Sequence, residues 1–194
     1  YAIEGDYSSS SYFFAIAAVC GGRVTVDNLN PHSVQGDRRM LAHLEAMGCT
    51  VRYGADSVTV ERTGDLEGIE VDMSASPDTV QTLSAVAPFA RSPTRITGIG
   101  HLRIKESDRV RAIRDSLHQL GVKIDIGPDE IIIYPGIVHS GTINPRNDHR
   151  TAMAGAILGL GAGGVSVQSA ECVEKSYPGF WEALRGAGLC KESC

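Results

Sequence analysis

The chain repeats itself at a spacing of about 70 residues, and that period limits what it can fold into more than any other feature. Asp6, Asp78 and Asp148 each open an apolar helical stretch, and they stand 72 and 70 residues apart. Asp37 and Asp108 open a second, amphipathic helix in the first two copies, 71 residues apart, and Ser176 holds that place in the third, 68 residues further on. Two marks per copy keeping the same register make a chance match improbable. The period is too long for a simple solenoid unit. Three α/β units about a pseudo-threefold axis fit it better, with boundaries near 4–73, 74–143 and 144–194.

Within a copy the order is helix, strand, helix, strand, strand. The first helices span Ser8–Val19, Asp78–Phe89 and Asp148–Leu160, and the strands after them are Arg23–Val26, Thr94–Thr97 and Gly164–Val167. The second helices span Asp37–Met47, Asp108–Leu120 and Tyr177–Arg185; in the middle one, Val110, Ile113, Leu117 and Leu120 share a face. Alternating residues then predict hairpins of Thr50–Tyr53 with Ser57–Glu61, and of Val122–Ile126 with Glu130–Tyr134. The third copy reaches Cys194 without such a hairpin, so it is incomplete.

Equivalent helices in symmetric copies point the same way. Six helix N-termini should therefore gather on one face, where free N–H groups and positive dipole ends suit phosphate or carboxylate. Composition narrows the partners. A chain of 194 residues that is 42% hydrophobic and 21% charged is globular, and a formal charge of −5 argues against nucleic acid. No apolar stretch is long enough for a bilayer-spanning helix, and no segment reads as a signal peptide. Five cysteines without a C-x-x-C read as reduced thiols rather than as a metal site. The chain opens on Tyr1, which implies processing or excision from a longer polypeptide.

The densest chemistry lies in His101-Leu-Arg-Ile-Lys-Glu-Ser-Asp-Arg109. Ser107 is a plausible N-cap, and Asp108 suits the positive end of the dipole. Arg109 does not suit that end, and neither does Arg150 in Asn147-Asp-His-Arg150. Two arginines set against helix dipoles in related copies point to a shared anion, which a planar guanidinium grips well. Taken singly, each run also reads as a solvated turn or an Asp-paired arginine. Lys175 occupies the corresponding loop in the third copy, where an ordinary surface lysine is the plain alternative. Ser76-Pro77-Asp78 reads either as a capped helix start or as a general base beside a cationic face. Gln35-Gly36-Asp37 reads as a helix cap, and Phe180 and Trp181 as core.

These stretches, with Glu4-Gly-Asp6, Ser9-Ser-Ser-Tyr-Phe13 and Lys175-Ser-Tyr-Pro178, resemble the EPSP synthase family in order and spacing along nearly the whole chain. The sister family of UDP-N-acetylglucosamine enolpyruvyl transferases shares the repeat fold but lacks the Leu102–Arg109 and Asp148–Arg150 signatures. The resemblance implies an enolpyruvyl-transferase-like domain of three βαβαββ repeats, the C-terminal domain of a two-domain and monomeric enzyme. Its N-terminal domain is absent here, and strands for the third repeat come from an N-terminal segment. The implied reaction moves the carboxyvinyl group of phosphoenolpyruvate to the 5-hydroxyl of shikimate 3-phosphate, without cofactor or metal, in the cytoplasm or, for a plant source, the plastid. By motif, Asp78 resembles the proton acceptor at that hydroxyl and Lys105 a shikimate 3-phosphate contact. Glu106 resembles the acid that exchanges a proton with phosphoenolpyruvate. Arg109, Arg150 and Lys175 resemble the cations that hold phosphoenolpyruvate. His101 stands where some members carry a substrate-touching Asn and is left out of the site set. A domain with one wall of the cleft is expected to be inactive alone. A non-catalytic anion-binding module and the sister transferase are the rival readings.

Overall fold

The computed structural model describes residues 3–105 and 107–189. Three helices form the centre: α1 (Tyr7–Cys20), α3 (Val80–Val86) and α5 (His149–Ala162), each packed on the other two. Apart from small polar residues, Gln81 and the His149-Arg150 start of α5, their sequences are apolar, which suits a helix enclosed by others rather than one lying on a surface. All seven residues of α3 are buried, as are most of those in α1 and α5. The more amphipathic α2 (Arg39–Ala46) and α4 (Arg109–Gln119) bury Met40, Leu41 and Leu44, and Val110, Ile113 and Leu117, and leave polar faces outside. The last helix, α6 (Phe180–Gly186), buries Phe180 and Leu184, and Phe180 meets Tyr12 edge-on, with ring centroids 5.9 Å apart.

Around these helices lie three sheets, one per copy. The middle copy is complete. Its order is β4 (Glu70–Asp72), β5 (Thr94–Thr97), β7 (Glu130–Ile133), β6 (Ile124–Ile126), with β4 parallel to β5 and the other pairs antiparallel. The first copy repeats the last three strands of that order: β1 (Gly22–Asp27), β3 (Ser57–Arg62) and β2 (Thr50–Tyr53). The third repeats the first two, the parallel pair β8 (Gly141–Ile143) and β9 (Val165–Val167). Superimposed, the copies define one βαβαββ unit, and among the described residues the outer side of β1 and that of β9 carry no strand.

Several boundaries differ from the sequence reading. The helix expected over Asp78–Phe89 is a 3-10 turn (Pro77–Thr79), the α3 segment, and a second 3-10 turn (Ala87–Phe89), because Pro88 supplies no N–H to continue the ladder. The helix expected over Tyr177–Arg185 is shorter and preceded by a 3-10 turn over Ala170–Lys175. The three-residue strands β4 and β8 are not expected from the sequence, and they join the sheets of the second and third copies although they precede the boundaries expected near 74 and 144.

Candidate functional site

Side chains tie helix starts together in two groups, α1 with α2, and α3 with α4 and α5. Ser8, in the first turn of α1, donates its hydroxyl to Asp37 at the entry to α2. Arg109, the first residue of α4, reaches both Asp78 at the entry to α3 and Asp148 at the entry to α5. The Arg109 Nη1–Asp78 Oδ1 and Arg109 Nε–Asp148 Oδ2 distances are 2.9 and 3.0 Å. Arg150, in the first turn of α5, takes the other oxygen of Asp78, with Nη2 2.9 Å from Oδ2. Asp78 is thus gripped by two guanidinium groups from two copies.

The equivalence of the three opening aspartates breaks at this point. Asp6 accepts the backbone N–H groups of Ser8 and Ser9, and Asp148 those of Arg150 and Thr151, so both cap their helices. Asp78 caps nothing. It sits inside the 3-10 turn with Ser76 at the cap position, and Ser76 makes no side-chain cap bond. The sequence signal is Pro77, which stands before Asp78 where Gly5 and Asn147 precede the capping aspartates.

The electrostatics follow from burial. Asp148 is fully buried and Arg109 is 4% exposed. Burial opposes ionisation of Asp148. The Arg109 guanidinium, the Thr151 amide and the Ser107 hydroxyl (3.0 Å from Oδ2) outweigh it and hold the carboxyl below its usual range. Burial likewise works against the charge on Arg109, and Asp148 and Asp78 more than restore it. The Asp37 carboxyl goes the other way: burial pushes it up, Asp78 adds to the rise, and the Ser8 hydroxyl and Arg150 only partly offset it. The Tyr12 phenol is pushed up to about 12 by burial, and Arg150 Nη1 lies 3.5 Å from its oxygen.

Accessibility grades across this group. Asp78 is 38% exposed at its side chain and Arg150 14%, so those two form the open surface and Arg109 its floor. Arg150 also donates from Nη1 to the Asp78 carbonyl at 3.2 Å, while its buried Nε finds no partner among the described residues. Lys105 is exposed in extended backbone just after the 3-10 turn Gly100–Ile104. Lys175 is exposed at the end of the 3-10 turn that packs on α5. Glu106 lies outside the described residues, as do Cys190 and Cys194; Cys20, Cys49 and Cys172 are free thiols.

Two sequence readings change in detail. Ser107 does not cap α4: Asp108 does, accepting the Arg111 N–H, and Ser107 is thereby free to bond Asp148. In the run Gln35-Gly36-Asp37, Gln35 does stand at the N-cap position of the 3-10 turn Gly36–Arg38 that leads into α2, but without a side-chain cap bond. Its amide accepts from the Tyr7 N–H and donates to Glu4 and to the Gly5 carbonyl, bracing the entry to α1. Asp148, Tyr12 and the Ser8–Asp37 pair were not picked out as parts of the site. Asp148 had a visible signal, an aspartate in helix-opening register two residues before an out-of-place arginine.

Comparison with known proteins gives the family. The family model described as EPSP synthase (3-phosphoshikimate 1-carboxyvinyltransferase) matches residues 1–184. The chain is 62% identical over 189 residues to the 3-phosphoshikimate 1-carboxyvinyltransferase of Methanoculleus marisnigri, covering 97% of this chain and 45% of that protein. With the protein of the same name from Methanoregula boonei it shares 59% over 184 residues, covering 95% and 44%. A solved EPSP synthase structure from Acinetobacter baumannii aligns with a TM-score of 0.85 at 27% identity, covering 96% of this chain and 46% of that one. The chain therefore spans a little under half the length of the curated relatives it matches. Agreement in sequence and fold along nearly the whole of this chain shows that it belongs to the EPSP synthase family.

Proposed function

We propose that this chain is the C-terminal half of a 3-phosphoshikimate 1-carboxyvinyltransferase, and that it forms one wall of the active site with Asp78, Lys105, Glu106, Arg109, Arg150 and Lys175. The observation that carries the reading is Asp78, half-exposed, held on both oxygens by arginines that start helices in two different copies. A carboxylate used only for helix capping has no need of that arrangement.

In this reading the 5-hydroxyl oxygen of shikimate 3-phosphate attacks C2 of phosphoenolpyruvate. Asp78 receives the hydroxyl proton while C3 takes a proton from Glu106, and a tetrahedral intermediate still bearing the phosphate results. The C2–O bond to phosphate then breaks with its electron pair, C3 returns a proton to a base, and the enol ether remains. Arg109, Arg150 and Lys175 hold the carboxylate and phosphate of phosphoenolpyruvate, and Lys105 approaches shikimate 3-phosphate. Fixed positive charge at the leaving phosphate and paired acid–base groups are the two largest aids such a reaction draws on.

The partner is the matching N-terminal half, which supplies the second wall. The strandless outer sides of β1 and β9 support that partnership, since an edge with unpaired N–H and C=O groups invites another strand. The whole enzyme acts as a monomer in the cytoplasm. Phosphate release from shikimate 3-phosphate and phosphoenolpyruvate tests the reading. Release by this chain combined with its matching N-terminal half, and none by either alone, is expected. A folded, associated pair that releases no phosphate would favour a binding module without catalysis.

A further inference from the structure

The loop that delivers Lys105 is fastened at a point the reaction itself does not touch. A 3-10 turn of five residues, Gly100–Ile104, precedes Lys105, and so short a turn has little stability of its own. Its near end is tied to the β6–β7 hairpin, whose turn is Gly127-Pro128-Asp129. The Gly100 N–H donates to Asp129 Oδ1 at 2.6 Å, and the Ile99 N–H donates to the Asp129 carbonyl at 3.3 Å. A Cβ at Gly100 would lie 2.9 Å from that same carboxylate oxygen and would displace it. In return, Arg103 donates from Nη2 to the Gly127 carbonyl at 2.8 Å and from Nε to the Pro128 carbonyl at 3.4 Å. Its charge is spent on neutral carbonyls of a turn. The far end of the loop is held by the Ser107–Asp148 bond.

The first copy is an internal control. There the Leu29 N–H donates to the Asp56 carbonyl at 2.8 Å, the counterpart of the Ile99–Asp129 backbone bond. The fold thus requires the backbone contact in both copies. The side-chain contacts differ. Ser33, which corresponds to Arg103 by count from Leu29, bonds Glu4, and among the described residues Asp56 makes no side-chain hydrogen bond into that loop. Among the described residues of these two copies, the carboxylate and guanidinium clamp belongs to the one that carries Lys105.

We propose that Asp129 and Arg103 are positioning residues that set the placement of the Lys105 loop for the reaction from the hairpin behind it; this rests on the function proposed above. The test uses the assembled protein, this chain with its matching N-terminal half, in four forms: wild type, Asp129→Ala, Asp129→Asn and Arg103→Gln. Asp129→Asn keeps an oxygen for the Gly100 N–H. Lys105 orients shikimate 3-phosphate, and misplacing the reacting atoms by about 1 Å costs on the order of 100-fold, so Asp129→Ala and Arg103→Gln should lower kcat by about 10–100-fold. KM for phosphoenolpyruvate should change little, because Arg109 and Arg150 stand on helices with their own supports. Asp129→Asn should recover most of kcat. Hydrogen exchange should quicken at residues 99–105 in Asp129→Ala and stay slow in α4. Should Asp129→Ala fail to fold, Arg103→Gln carries the comparison. Unchanged kcat in a wild-type-active assembly, or a loss shared equally by Asp129→Asn, would overturn the positioning role while leaving the proposed function intact. A wild-type assembly without activity would overturn the function and this role with it.

Discussion

At the residue scale the account turns on charges whose partners are shared. Arg109 is buried between Asp78 and Asp148, so its removal leaves the enclosed Asp148 carboxylate without its guanidinium partner. Arg109→Ala should therefore cost about 3–5 kcal/mol in urea unfolding. Asp148 and Asp37 should respond to pH with opposite sign. The Asp148 carboxyl is held low in the folded chain, so its ionisation stabilises the fold at neutral pH. That contribution fades as pH falls from about 4, the unfolded value, through the lower folded value. Asp148→Asn keeps an oxygen for the capping N–H groups and should be less stable than wild type at neutral pH, with the gap closing in acid. The Asp37 carboxyl is held high, so its charge costs stability above the folded value and ceases to do so below the unfolded one. Asp37→Asn keeps an acceptor for Ser8 and should unfold at the same or higher denaturant at neutral pH, losing any advantage as pH falls. Parallel pH series of the two variants would check this; shifts of equal sign would contradict the electrostatic reading. Arginines against helix dipoles were legible in the sequence. Which carboxylate each one meets was not, because Arg109 reaches Asp78 and Asp148 across 31 and 39 residues.

At the scale of elements, helices with strong periodicity and strands long enough to alternate were readable. The strand spans Thr50–Tyr53 and Thr94–Thr97 match residue for residue. The three-residue strands β4 and β8 were not readable, because three residues carry no usable alternation and each is made a strand by a distant parallel partner. Close packing of the central helices shows at Gly161 of α5. A Cβ built there would lie 2.1 Å from Val19 Cγ1 and 2.6 Å from Phe89 Cζ. Valine is stiff at that bond and cannot easily turn away. Gly161→Ala should therefore lower stability by about 1–3 kcal/mol through overpacking, despite the better helix propensity of alanine. Thermal unfolding beside a Gly186→Ala control, where a Cβ meets nothing, would separate the two effects.

At the scale of the molecule, the threefold repeat was the most legible property of the chain and also the one that exposes what is unfilled. The middle copy shows four strands, while the described parts of the first and third show three and two. If the matching N-terminal half pairs with those edges, adding it should raise the unfolding temperature of this chain and slow hydrogen exchange along β1 and β9. The most direct measurement of the central claim is phosphate release by the assembled protein with Asp78→Asn or Arg150→Ala. The account predicts a loss on the order of 100-fold or more for Asp78→Asn, the scale of a removed acid–base group, with the unfolding transition retained. Folded variants that release phosphate at the wild-type rate would contradict it, and would reduce the Asp78–Arg109–Arg150 cluster to a structural ion pair.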